Sequence, residues 1–128
     1  MRAMEALVVS SNATMRAYLE VTLESEGFRT VSFADTTEAL KYLKEHTPDL
    51  IVLDDETKGE LSALDLAWRI KRVRRFKDVP VVVLVSNADQ RTKIAAQMAR
   101  VDMLLTKPLV GGEFRSFARR TIEMRTKH

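Results

Sequence analysis

The stretch Pro48-Asp49-Leu50-Ile51-Val52-Leu53-Asp54 decides the architecture. Its four apolar residues follow one another without a polar break, whereas a strand with one wet face alternates. A continuous run is buried on both faces, which in a sheet means a parallel strand covered by helices on either side. A second such run, Val79-Pro80-Val81-Val82-Val83-Leu84-Val85, reads the same way. Working outward, shorter apolar runs of strand length lie at residues 6–9, 28–33 and 103–105, and helix-period segments separate all five.

Local signals place the helices between these strands. Residues 13–26 carry Met15, Leu19, Val21 and Leu23 and end at Gly27, whose missing Cβ suits a helix C-terminus. Asp35-Thr36-Thr37-Glu38 reads as a capping box that opens a helix through Leu40 and Leu43. Ser62-Ala63-Leu64-Asp65 opens the next one, with Leu66, Ile70 and Val73 inward and Arg69 and Arg72 outward. A short helix follows around Ile94 and Met98. After Gly111-Gly112, a last helix shows Phe114, Phe117, Ala118 and Thr121 on one side.

The chain has 128 residues, 45% of them hydrophobic and 30% charged, which suits one globular domain over residues 1–128. Without cysteine there is no disulfide framework, thiolate metal site or cysteine nucleophile, and with only His46 and His128 zinc chemistry is not expected. No apolar run has the length of a membrane span, and a cytoplasmic location is expected. Charge is unevenly spread. Residues 1–64 hold 6 Lys/Arg against 12 Asp/Glu, and residues 65–128 hold 15 against 6, so the second half is basic. Aromatic residues are not interleaved with these cations, so direct nucleic-acid binding is not expected.

Five β/α alternations with right-handed crossovers give a doubly wound α/β sandwich around a five-stranded parallel sheet, in flavodoxin-like order 2-1-3-4-5. The working site of such a fold lies at the carboxyl ends of its strands. Ser10, Ser11, Asn12, Asp54, Val85, Ser86 and Lys107 fall there.

Three motifs, in their order and spacing along the chain, carry a resemblance: Glu38-Ala39-Leu40 after the second strand, the run 48–54, and Thr106-Lys107-Pro108 at the end of the fifth. Together they resemble the receiver (CheY-like) domains of response regulators in bacterial two-component signalling, over almost the whole chain. The resemblance implies that Asp54 stands where the family's phosphoacceptor aspartate stands, with Asp55 as fallback. Strand alternation would point Asp55 away from the pocket. Lys107 matches the family's lysine, and its bond to Pro108 is implied to be cis. With no phosphoryl group, Lys107 is expected to pair with Asp54, attractive by about 4 kcal/mol before desolvation.

Elsewhere the chain departs from the family. Ser10 and Ser11 replace the acidic pair that holds magnesium, and hydroxyls replace carboxylates poorly around that hard cation. Asp54 with Lys107 sums to zero charge, so no metal is expected beyond weak binding by Asp54 and Glu56. Val85 replaces the switch hydroxyl, with Ser86 one place late, and Leu104 replaces the switch aromatic. The loop after the aspartate reads Thr57-Lys58-Gly59, with Ala63 beyond.

Three functions stay open. The first is a degenerate receiver, not an enzyme, that works as a protein-interaction module in a two-component-type pathway without magnesium-dependent phosphorylation. The second is a receiver phosphorylated on Asp54 by a histidine kinase, with Mg2+ as cofactor. The third is a flavodoxin-like nucleotide or flavin binder using Ser10, Ser11, Asn12 and Thr14, which lacks glycine for close phosphate approach and carries its single Trp68 on a helix. The implied partner is another protein or a fused C-terminal output domain, from which this domain would then be excised. A homodimer through helix 4, strand 5 and helix 5 is also implied, with Arg91, Lys93, Arg115 and Arg119 supplying charge. The same residues read equally as a solvated basic surface.

Overall fold

The computed structural model describes residues 3–126. Five parallel strands, β1 (Met4–Val9), β2 (Phe28–Phe33), β3 (Leu50–Asp54), β4 (Val81–Val85) and β5 (Met103–Thr106), form one sheet in the order β2-β1-β3-β4-β5. The helices are α1 (Ala13–Ser25), α2 (Thr36–Leu43), α3 (Ala63–Arg72), α4 (Gln90–Ala99) and α5 (Glu113–Thr126). The expected doubly wound sandwich is what the chain adopts.

All residues of β3 and β4 are buried, as continuous apolar strands require. The sheet separates two cores. On one face Leu7, Ile51, Leu53, Val81 and Val83 pack under α2, α3 and α4 through Ala39, Leu43, Leu66 and Ile70. On the other, Val8, Leu50, Val52 and Leu84 pack under α1 and α5 through Leu19, Leu23, Phe114 and Ala118. In register, Val9 stands beside Leu53 and Asp54 beside Leu84, so the strand ends that carry Ser10, Asp54 and Ser86 come together at one edge.

Helix starts follow their caps. Asn12, Asp35, Ser62 and Asp89 each accept a backbone N–H from the first turn of α1, α2, α3 and α4. Gly27 takes φ +103 just beyond α1, a conformation that glycine adopts without strain. One inward placement is corrected, that of Val73, and one apolar residue of α1 lies outside. Val21 is 67% exposed, because the buried face of α1 runs through Leu19, Thr22 and Leu23 and turns Val21 to the opposite side. Val73 is 44% exposed, because α3 ends at Arg72 and Val73 is already extended. The fourth strand begins at Val81 rather than Val79, since Pro80 has no N–H to give to the ladder.

Candidate functional site

Each site residue sits where a strand ends and its backbone is still tied to a neighbour. Ser10 leaves β1 with its N–H bonded to Phe33 O at 2.9 Å, and Asn12 then caps α1. Asp54 is the last residue of β3 and fully buried. Lys107 follows β5 with its N–H on Val85 O at 2.8 Å, and the Lys107–Pro108 bond is cis.

At the centre both oxygens of Asp54 are engaged. Oδ1 accepts from Lys107 Nζ at 2.5 Å and Oδ2 from Ser10 Oγ at 2.7 Å. The Ser10 hydroxyl, itself buried, also accepts the Asn12 N–H at 3.2 Å, and the carboxylate at 2.7 Å is a closer acceptor for its single proton than Asn12 O at 3.3 Å. Lys107 Nζ makes a second ion pair with Asp55 Oδ1 at 2.7 Å. Asp55 Oδ2 accepts the Ser86 N–H at 2.8 Å, and Ser86 Oγ lies 3.5 Å from Asp55 Oδ1.

This corrects the expectation that Asp55 points away. β3 ends at Asp54, so strand alternation no longer governs the next residue, and its carboxylate turns to the ammonium. Partial burial works against the charge of Asp55. The Lys107 ammonium and the Ser86 N–H outweigh it and hold the carboxyl below its ordinary value. Partial burial likewise opposes the charge of Lys107, and the two aspartates overcome it and raise its pKa. Asp54, Asp55 and Lys107 together carry one net negative charge, where Asp54 and Lys107 alone sum to zero.

Around this centre the structure sorts the remaining candidates. Glu56 is not turned to Asp54: its Oε2 accepts from Asn12 Nδ2 at 3.1 Å and its carbonyl accepts the Ser11 N–H at 2.7 Å. Val85 is buried at the end of β4, and Leu104 packs into the core beneath α2, α3 and α4. Trp68 lies on α3, within a helical layer rather than over the strand ends. Two features escape a reading of the chain. Arg16 Nη1 donates to Ser10 O at 2.7 Å, and Asp55 shares the lysine. Arg16 lies one turn past the Asn12 cap, which sets it beside the end of β1; that position is the only signal the sequence offers for it. Among the described residues, no three His, Asp or Glu side chains are grouped to hold a metal ion.

The arrangement is thus a carboxylate held by its own ammonium and hydroxyl partners. The chain as a whole is similar to known proteins. The family model described as the response regulator receiver domain matches residues 6–118. The phosphate regulon transcriptional regulatory protein PhoB of Pseudomonas aeruginosa is 31% identical over 102 residues, covering 80% of this chain and 44% of PhoB. The chain therefore spans less than half the length of that relative. Chemotaxis protein CheY1 of Helicobacter pylori is 28% identical over 106 residues, covering 82% of this chain and 86% of CheY1. Among solved structures, the signal receiver domain of a signal transduction histidine kinase from Syntrophus aciditrophicus superposes with a TM-score of 0.86 at 26% identity, covering 95% of this chain and 92% of that one. With the family model matching residues 6–118 and the fold and strand order in agreement, the chain belongs to the response regulator receiver domain family.

Proposed function

We propose that this receiver domain is a protein-interaction module of two-component signalling whose output does not run through magnesium-dependent phosphorylation of Asp54. The observation that carries the reading is the closed shell around Asp54: Lys107 on one oxygen and Ser10 on the other. A phosphoryl group arriving there competes with both partners for the carboxylate oxygens. Transfer also relies on electrostatic stabilisation of the moving group, much of which a metal ordinarily supplies. Magnesium is poorly served by the donors present. The two carboxylates at the centre, Asp54 and Asp55, are both paired with Lys107. Ser10 and Ser11 offer only hydroxyls, and the Glu56 carbonyl and carboxylate are bonded to Ser11 and Asn12.

Response would fail downstream as well. Val85 has no hydroxyl to meet a phosphoryl group, and Leu104, half-buried against the core, has no hydrogen bond to make. A ligand without differential affinity for two states shifts neither. Binding is then left as the output, to a protein partner or a fused output domain. PhoB is by name a transcriptional regulatory protein, and the stretch of it that this chain matches is under half its length. A dimer or partner face on α4, β5 and α5 would draw on Arg91 and Lys93. Arg115 and Arg119 are less available to it, since both bind Glu26 just past α1.

The second reading, phosphorylation of Asp54, is favoured by one observation: the aspartate at the end of β3 faces Lys107 as a phosphoacceptor would. Incubation with acetyl phosphate and magnesium, followed by intact mass, separates the two. No adduct is expected on the parent or on Asp54→Asn. A stoichiometric adduct on the parent that the variant lacks establishes the second reading instead.

A further inference from the structure

Residues 86–89 join β4 to α4, and a single carboxylate holds the first part of that connection. Asp55 Oδ2 accepts the Ser86 N–H at 2.8 Å, and Ser86 Oγ stands 3.5 Å from Oδ1. Among the described residues, Ser86, Asn87 and Ala88 make no hydrogen bond except those from Ser86 to Asp55. Ala88 adds an apolar contact with the core, and Asp89 then caps α4. Asp55 is itself anchored at both ends. Its N–H donates to Leu84 O at 2.9 Å, and Lys107 Nζ meets its Oδ1 at 2.7 Å.

An ammonium, a backbone amide and a hydroxyl therefore converge on one anion. Such a donor set suits any oxyanion, a carboxylate or a phosphate. Here the chain provides the anion itself, from the residue next to Asp54. Partial burial opposes the charges of Asp55 and Lys107 alike, and their pairing outweighs it, with the carboxyl held low and the ammonium high.

We infer that Asp55 is a built-in anion that latches the β4–α4 connection to the end of β3 through Lys107 and Ser86, and so fixes the amino end of α4 in one state without a signal. The inference rests on the proposed function and deepens it, because a module that works without phosphorylation still needs its binding face in a defined arrangement. Arg91 and Lys93, at the start of α4, follow directly on the latched segment. A ligand shifts a two-state element through the contacts it makes in one state and not in the other. An anion from solution would make and break these contacts with its concentration. Asp55 is part of the chain and cannot leave, so the state it favours is always the one selected.

Backbone order of residues 86–88, read from NMR relaxation, tests the latch, because order does not change with the mere charge of a neighbour as amide exchange does. In the parent these residues should be as rigid as β4, with order parameters of about 0.85. Asp55→Ala removes the anion and should drop them below about 0.6. Sodium acetate, whose carboxylate replaces the one deleted, should return them saturably toward the parent value, and sodium chloride at equal ionic strength should not. Asp55→Asn keeps an acceptor for the Ser86 N–H and loses the charge, so its order should fall between the two. The inference is overturned if residues 86–88 are as rigid in Asp55→Ala as in the parent, if they are already disordered in the parent, or if acetate does no more than chloride. Should only the asparagine variant fold, parent-like order in it overturns the inference as well. A phosphate adduct on the parent, read by mass, bears on the proposed function alone, so the two failures are told apart.

Discussion

At the scale of the residue, the site turns on how one lysine serves two carboxylates. Asp54 is fully buried and cannot fall back on water, so its charge depends on Lys107 and on the Ser10 hydroxyl. Removing one partner of a buried pair is costly because it strands the other charge. Lys107→Met should therefore destabilise the domain by about 3 kcal/mol in urea unfolding. Adding Asp54→Leu to it should recover most of the loss, since a well-packed apolar side chain then replaces the stranded carboxylate. A Lys107→Met variant as stable as the parent would mean that Asp54 does not rely on the ion pair.

At the scale of the element, two ties hold segments that sequence neighbours do not. The first joins α1 to α5. Glu26 takes Arg119 through both of its oxygens and Arg115 as well, and these arginines lower its pKa from an ordinary 4.5 to about 2. A carboxyl depressed in the folded state stabilises above its unfolded value and loses that contribution as pH falls through the folded one. The tie is thus present above 4.5 and fades as pH drops toward about 2. In the double variant Arg115→Ala/Arg119→Ala, the Glu26 midpoint followed by NMR should climb back toward 4.5. The acid limb of the stability curve should lose this component.

The second tie clamps the loop between β3 and α3 to the start of α2. Lys58 O accepts from Thr36 N–H at 2.8 Å, and the Thr36 hydroxyl reaches Lys58 O and Leu61 O. Gly59 permits the approach. Its φ is +103, and a Cβ there would stand 2.5 Å from Asp35 Oδ1 and 2.6 Å from Thr36 Oγ1. Gly59→Ala should cost about 1–3 kcal/mol in denaturant unfolding and loosen the amide protons of residues 57–61 in hydrogen exchange. Unchanged exchange in this loop would mean that the contact is made without the glycine.

At the scale of the whole molecule, a ligand that binds only the folded state raises its stability in proportion to occupancy. Magnesium should leave the Tm of the parent unchanged. Ser10→Asp/Ser11→Asp places carboxylates at the end of β1, and at the buried Ser10 position beside Asp54 the added charge should lower the Tm without metal. Magnesium at a hundred times its Kd should then return about 2.7 kcal/mol to that variant. Thermal melts with and without the metal make the comparison, and a magnesium-dependent rise in the parent would contradict the proposed function.

Much of this was written in the chain itself. The unbroken apolar runs at 50–53 and 81–85 specify a buried parallel sheet, because each residue of such a strand must find apolar cover on its own face. The caps Asp35 and Ser62 mark helix starts because their side chains act within one turn. Strand-end positions bring Ser10, Asp54 and Lys107 together for the same reason, since topology alone sends them to one edge. The tertiary structure decided what local rules do not reach. Asp55 leaves the strand pattern for Lys107, Glu56 turns to Asn12, and Arg115 and Arg119 spend their charge on Glu26 instead of on the surface. Each is a choice among several partners of suitable charge, and only the distances set by the packed layers settle which partner a side chain meets.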